Sequence, residues 1–221
     1  MESSAKFWSV PETTGLFLHE LAVFWAGTRE NDGEDFDILE IGTSVGYSGV
    51  RLAKALKRIG GSGKLFTIES NVKRFETAGQ NFVNEGVDDC VVRILGHAPE
   101  VFYDSGAINK VEGGGIGGET LMQSAADTLK ELRTFKVDIN SVGKNFFEWP
   151  RFDFAFLDAT KMEYVSYLMA VLPLMKRGGL ILADNCLSHQ SELAGFLVMS
   201  GKKGHLLPMD NGLLLLKAGD D

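Results

Sequence analysis

Short, uninterrupted apolar runs alternate along the chain with stretches whose apolar residues recur every three or four positions. Six runs are of the first kind: 36–41 (FDILEI), 64–69 (KLFTIE), 90–95 (CVVRIL), 152–158 (FDFAFLD), 179–184 (GLILAD) and 213–217 (LLLLK). Strands that are apolar on both faces belong in a parallel sheet covered by helices on each side. Helical spacing fills the intervals at 47–59, 72–85, 162–176 and 190–200. An earlier helix is expected to open at Ser9-Val10-Pro11-Glu12, with Ser9 as cap and Glu12 closing a capping box, and to end near Gly27. Strand and helix in repeated alternation predict a doubly wound α/β domain with right-handed crossovers. A weaker strand at 204–208 precedes Asp210-Asn211-Gly212, whose Asn-Gly predicts a final antiparallel hairpin.

One stretch breaks the alternation. Residues 103–150 contain GGGIGG at 113–118, a helical pattern at 119–135 and a mixed tail ending FFEWP. That is too long for a plain connection, and it predicts an insertion or lid within a single domain spanning 1–221. Phe146, Phe147 and Trp149 are its candidate aromatic contacts to a ligand.

Composition narrows the class. At 221 residues and 44% apolar, the chain suits one domain with a sizeable core. No apolar stretch approaches the roughly 20 residues needed to cross a bilayer, so no membrane partner is expected. The opening MESSAKFWSV has no basic segment leading into an apolar one, and the expected location is cytoplasmic. Two cysteines, Cys90 and Cys186, form no disulfide framework and no zinc-ligand spacing with four scattered histidines; they read as packed thiols. A net charge of −8 opposes non-specific attraction to a phosphate backbone. Lys54, Lys57, Arg58, Lys73 and Arg74 cluster, but at a spacing that makes an ordinary solvated helical face.

Candidate chemistry gathers where the strands end. The first run closes Leu39-Glu40-Ile41-Gly42 and continues Thr43-Ser44-Val45-Gly46-Tyr47-Ser48 into a helix. Glycines at 42 and 46 predict a turn that lets a ligand approach the backbone and meet free N–H groups. Glu40 repels a pyrophosphate and suits a ligand bearing cationic groups, which argues against a dinucleotide. Glu69, closing the second run, is placed to accept both hydroxyls of a ribose, with Ser70 and Asn71 starting the next helix. Asp158 ends one run and Asp184-Asn185 ends its neighbour. Three such side-chain oxygens on adjacent strand tips form a hard-ligand half-shell suited to Mg²⁺. Helix caps alone would also explain the two aspartates. Lys161 follows in the loop entering the next helix.

Together EIGTSVGYS, TIES, FDFAFLDATKMEY and LPLMKRGGLILADN resemble the metal-dependent S-adenosylmethionine O-methyltransferases, the group containing the catechol and caffeoyl-CoA enzymes. The resemblance covers about residues 9–102 and 150–217. It implies a Rossmann-like methyltransferase sheet, mostly parallel with a C-terminal antiparallel hairpin. It also implies a cofactor site of Glu40, Gly42, Gly46, Tyr47, Ser48, Glu69, Ser70, residue 97 and Asp158, with Ser48 on the cofactor carboxylate and Glu40 on its ammonium. Asp158, Asp184 and Asn185 become the metal ligands, and Lys161 the general base that takes the acceptor's hydroxyl proton. The implied reaction moves a methyl group to a hydroxyl of a small catechol-like acceptor with Mg²⁺ or another hard divalent cation.

Two features depart from that pattern. Where the family has Gly-Asp-Ala after the third strand, this chain has Gly96-His97-Ala98, so a neutral His97 is the expected adenine contact, accepting through one ring nitrogen. Few residues precede the first strand, where relatives use a longer arm to cover the acceptor and, in plant enzymes, to join two subunits. A homodimer is compatible with the pattern. A hydroxylated tRNA base as acceptor, or a cofactor-binding module without turnover, are the alternatives that the residues leave open.

Overall fold

The computed structural model describes residues 10–29, 34–104 and 149–219. Among these the sheet has seven strands in the order β3-β2-β1-β4-β5-β7-β6. They are β1 (Ile38–Ile41), β2 (Leu65–Glu69), β3 (Val91–Leu95), β4 (Phe152–Leu157), β5 (Met175–Ala183), β6 (His205–Leu207) and β7 (Leu213–Lys217). The first five are mutually parallel; β7 runs antiparallel to both β5 and β6. The doubly wound sheet and its terminal hairpin are as the apolar runs predict.

Every residue of β1, β2 and β4 is buried, which is why those runs show no period-two alternation. One face packs on α1 (Glu12–Thr28), α2 (Tyr47–Ile59) and α3 (Val72–Asn84), joining Leu18, Leu52, Leu56 and Phe82 to Ile38, Phe154, Phe156 and Leu182. The other packs on α4 (Ala98–Asp104), α5 (Tyr164–Val171) and α6 (Ala194–Ser200), joining Phe102, Tyr167, Leu168 and Phe196 to Leu39, Ile41, Leu157 and Ile181.

Several local expectations change. Glu12 is the first residue of α1 rather than its third, and Pro11 caps the helix without a side-chain bond; Ser9 lies outside the described residues. The cap comes from afar: Thr13 Oγ1 and Thr14 Oγ1 donate to Asp210 Oδ2 at 2.6 and 2.7 Å. The helix expected over 162–176 is a single 3-10 turn, then α5, then a second turn containing Pro173, after which the chain enters β5 at Met175. Proline has no N–H to continue the helical ladder. The 190–200 helix shortens to α6, and α4 has no counterpart in the sequence reading. Residues 105–148, with Phe146 and Phe147, lie outside the described residues. Trp149 is partly buried and packs against the core, 4.7 Å from Phe102 between ring centres, and is not among the residues lining the cleft described below.

The hairpin turn fastens the segment that follows β5. Cys186 N donates to Gly212 O at 2.9 Å, and Leu187 N and Ser188 N donate to Asn211 O at 2.9 and 3.0 Å. Gly212 has φ +88°, and a Cβ there would meet Leu187 N at 2.6 Å. Gly212→Ala is expected to cost about 2 kcal/mol or more of folding stability, read as a lower urea midpoint with an unchanged slope.

Candidate active site

Parallel register brings the strand ends level. Ile41 pairs with Ile68 on one side and Leu157 on the other, and Leu157 pairs with Ala183. The residues just beyond therefore share one edge, where strand order reverses between β1 and β4, the usual ligand crevice of an open α/β sheet. A cleft of about 650 Å³ opens there. Its lining includes Gly42, Glu69, Ser70, His97, Asp158, Lys161, Asp184 and Asn185, all singled out from the sequence.

Asp158 and Asp184 extend adjacent strands through Asp158 N→Ile41 O and Asp184 N→Leu157 O. Asp158 Oδ1 accepts from Lys161 Nζ at 2.8 Å and from Asn185 Nδ2 at 3.1 Å. Asp184 Oδ1 accepts from Asn185 N at 2.7 Å, and Asn185 sits at φ +69°, in the left-handed region that asparagine tolerates. Burial first, then repulsion from Asp158, pushes the Asp184 carboxyl up to about 7. Two carboxylates that crowd each other, beside an amide that can offer its oxygen, fit a hard divalent cation. Among the described residues no group of three or more His, Cys, Asp or Glu stands ready to hold one, so the third oxygen would be Asn185's.

The turn after β1 departs from expectation. Gly42 N and Thr43 N donate to Ile68 O, Ser44 N donates to Glu69 Oε2 at 2.8 Å, and Gly46 N donates to Thr43 O. These N–H groups are spent within the protein, not offered to a ligand. Gly42, at φ +101°, is required because a Cβ would lie 2.1 Å from Asp158 O. Gly46 caps α2 in the left-handed region and packs on Ala78. Gly46, Tyr47 and Ser48 stand behind the cleft wall. Glu40 does too: alternation along β1 turns it toward α2, where it is fully buried and Thr67 Oγ1 donates to it at 2.5 Å. Burial holds its carboxyl up at about 7 against hydrogen bonds from Ser48 and Thr67, and its Oε1 has no partner among the described residues.

Glu69 is 5% exposed yet lines the cleft. Asn71 N and Arg74 Nη2 approach its Oε1 at 2.8 and 3.2 Å. A carboxylate has about four lone-pair sites, and Oε2, which takes only Ser44 N, keeps one for a ribose hydroxyl. Sequence reasoning missed Ser44 and Arg74, which both line the cleft; the Ser44 hydroxyl and Arg74 Nε are themselves buried and without a hydrogen-bond partner among the described residues. Arg74 lay five residues past Glu69, one helical turn from the strand tip, a spacing that would have marked it. Asn211 reaches the cleft from the hairpin.

His97 is corrected. Its Nε2 pairs with Glu163 Oε2 at 2.9 Å and its Nδ1 lies 2.8 Å from Glu100 Oε2; the second contact is an ion pair without hydrogen-bond alignment, since Glu100 Oε2 has no hydrogen bond. The Glu163 bond raises the His97 pKa despite the opposing effect of burial. Burial would raise Glu163, but bonds to His97 and Tyr167 outweigh it and lower that carboxyl. With both ring nitrogens turned to carboxylates, neither is directed at an adenine amine. Cys186 is a packed thiol, fully buried and pushed up to about 12 by burial.

A family model described as O-methyltransferase matches residues 124–195, about a third of the chain, and within it fall Asp158, Lys161, Asp184 and Asn185. Solved structures extend the likeness over the whole fold. A Klebsiella pneumoniae protein described as an O-methyltransferase is 22% identical, with 98% of this chain and 84% of that one covered at a TM-score of 0.68. The matching model and this similar structure both carry the O-methyltransferase description. The Bacillus cereus O-methyltransferase solved with S-adenosylhomocysteine is 19% identical over 97% and 84% of the two chains, TM-score 0.65. A Staphylococcus aureus protein described as a caffeoyl-CoA O-methyltransferase is 20% identical over 96% and 85%, TM-score 0.64. The family match falls on the half of the cleft that holds the paired aspartates.

A raised folded-state pKa gives His97 a stabilising contribution that is complete below its unfolded value, about 6.5, and is lost as pH rises through the raised one. The melting-temperature gap between wild type and His97→Gln is therefore expected to be larger at pH 5.5 than at pH 9. A gap independent of pH would contradict the pairing.

Proposed function

We propose that the protein is an S-adenosylmethionine-dependent, Mg²⁺-assisted O-methyltransferase acting on a hydroxyl of a small acceptor with vicinal oxygens, such as a catechol. The observation that carries this reading is the juxtaposition of Asp158, Asp184 and Asn185 on adjoining strand tips, with Lys161 Nζ 2.8 Å from Asp158. When bound, the divalent cation supplies charge that eases loss of the hydroxyl proton, and S-adenosylmethionine supplies the methyl group.

The protein's own residues divide the remaining work. Asp158, Asp184 and Asn185 hold the cation. Glu69, steadied by Ser44 N, Asn71 N and Arg74, accepts from the ribose. Lys161 takes the acceptor's proton at Nζ and is oriented for it by the side chains around it. Most of the rate comes from aligning donor and acceptor within the cleft.

A tRNA acceptor is the weaker reading. Lys54 pairs with Glu85, Lys57 with Asp89, Arg58 with Glu20 and Arg74 with Glu69, so that basic cluster is largely neutralised by its own neighbours. Methyl transfer measured on a catechol panel and on bulk tRNA decides. Transfer to a catechol is expected, falling more than about 100-fold with chelator or in Asp184→Ala, while calorimetric cofactor affinity stays within about threefold. Transfer indifferent to both treatments would remove the metal from the reading, and transfer to tRNA alone would replace the acceptor.

A further inference from the structure

Lys161 is anchored from two sides. Its Nζ donates to Asp158 Oδ1 at 2.8 Å and to the Tyr164 hydroxyl at 3.2 Å, and lies 5.3 Å from the centre of the Tyr164 ring. Lys161 lines the cleft; Tyr164 does not, and is fully buried. The tyrosine's own proton is committed elsewhere. Its hydroxyl reaches the backbone carbonyls of Leu157 at 3.1 Å and of Asp184 at 3.2 Å, the last residue of β4 and the first beyond β5. A phenol has one O–H and the lone pairs of one oxygen, so with the proton shared between those carbonyls it meets Lys161 as an acceptor. Edge contact with Phe196, 5.4 Å between ring centres at 88°, and packing on Tyr167 hold the ring in place.

We propose that Tyr164 is the positioning residue for Lys161, a hydroxyl strut between two strand tips that sets the direction in which the lysine nitrogen faces the acceptor. A lysine nitrogen has three directions besides its bond to carbon. Asp158 and Tyr164 occupy two of them, and both accept. The third is left to the cleft. Without the hydroxyl, Nζ keeps only Asp158 and turns about its last side-chain bond, so the group that meets the acceptor is no longer aimed. The kinetic consequence rests on the proposed function, whereas the restraint on the nitrogen stands apart from it.

Tyr164→Phe keeps the ring and removes only the hydroxyl. Its kcat for methyl transfer is expected to fall about tenfold, with acceptor KM and cofactor Kd changed by less than about twofold. In a Lys161→Ala background the same substitution is expected to change kcat by less than about twofold, because the tyrosine acts through the lysine. A second readout needs no activity: reductive methylation with formaldehyde and cyanoborohydride, followed on the Lys161 peptide by mass spectrometry. Lys161 is expected to react more slowly than the exposed Lys73 in wild type, and several-fold faster in Tyr164→Phe while Lys73 is unchanged. Equal kinetic loss in both backgrounds, or a Lys161 labelling rate that Tyr164→Phe leaves alone, overturns the proposal. If wild type methylates no acceptor, the proposed function falls and the labelling still decides what Tyr164 does.

Discussion

Two carboxylates, Asp158 and Asp184, repel each other across a cleft that burial has partly stripped of water, and much of the surrounding structure answers that repulsion. Parallel register puts them there: β1, β4 and β5 end level, so the residues that follow β4 and β5 are neighbours by construction. Desolvation and mutual repulsion hold Asp184 near 7. Lys161 Nζ at 2.8 Å and the Asn185 amide at 3.1 Å both donate to Asp158, and donors or a cation are what this edge of the sheet favours.

The charged tips depend on what fixes them from behind. Tyr164 bridges the two strand ends through their carbonyls, and the β6–β7 turn takes the N–H groups of Cys186, Leu187 and Ser188. The turn after β1 spends its N–H groups on β2, so it serves as a brace for Glu69 rather than as an anion cradle. Gly42 is what lets that brace pass Asp158 O. At this turn the cleft wall is therefore made by the side chains of Glu69 and Arg74 more than by free backbone N–H groups.

What the sequence made legible follows from burial. Strands covered on both faces leave continuous apolar runs, and the polar residue ending each run lands on the carboxyl edge, so Glu69, Asp158, Asp184 and Asn185 could be placed on the cleft from order alone. Partnerships across the chain could not. His97 pairs with Glu163, 66 positions away, and Glu40 turns to α2 because strand alternation, invisible in a run buried on both sides, assigns it to that face. Local punctuation was also read too lightly: Pro173 closes a helical pattern that hydrophobic spacing alone carries to residue 176. Trp149 shows the converse, an aromatic residue assigned to ligand contact that the core claims first.

The Asp210 bond to Thr13 and Thr14 joins residues 197 and 196 positions apart. Until Asp210 is in place, the leading turn of α1 lacks these bonds. Closure of that long loop is entropically late, and the hairpin that performs it also carries Asn211 into the cleft. The cleft is thus finished by a turn far along the chain from the strand tips that begin it, so its assembly waits on a long-range closure.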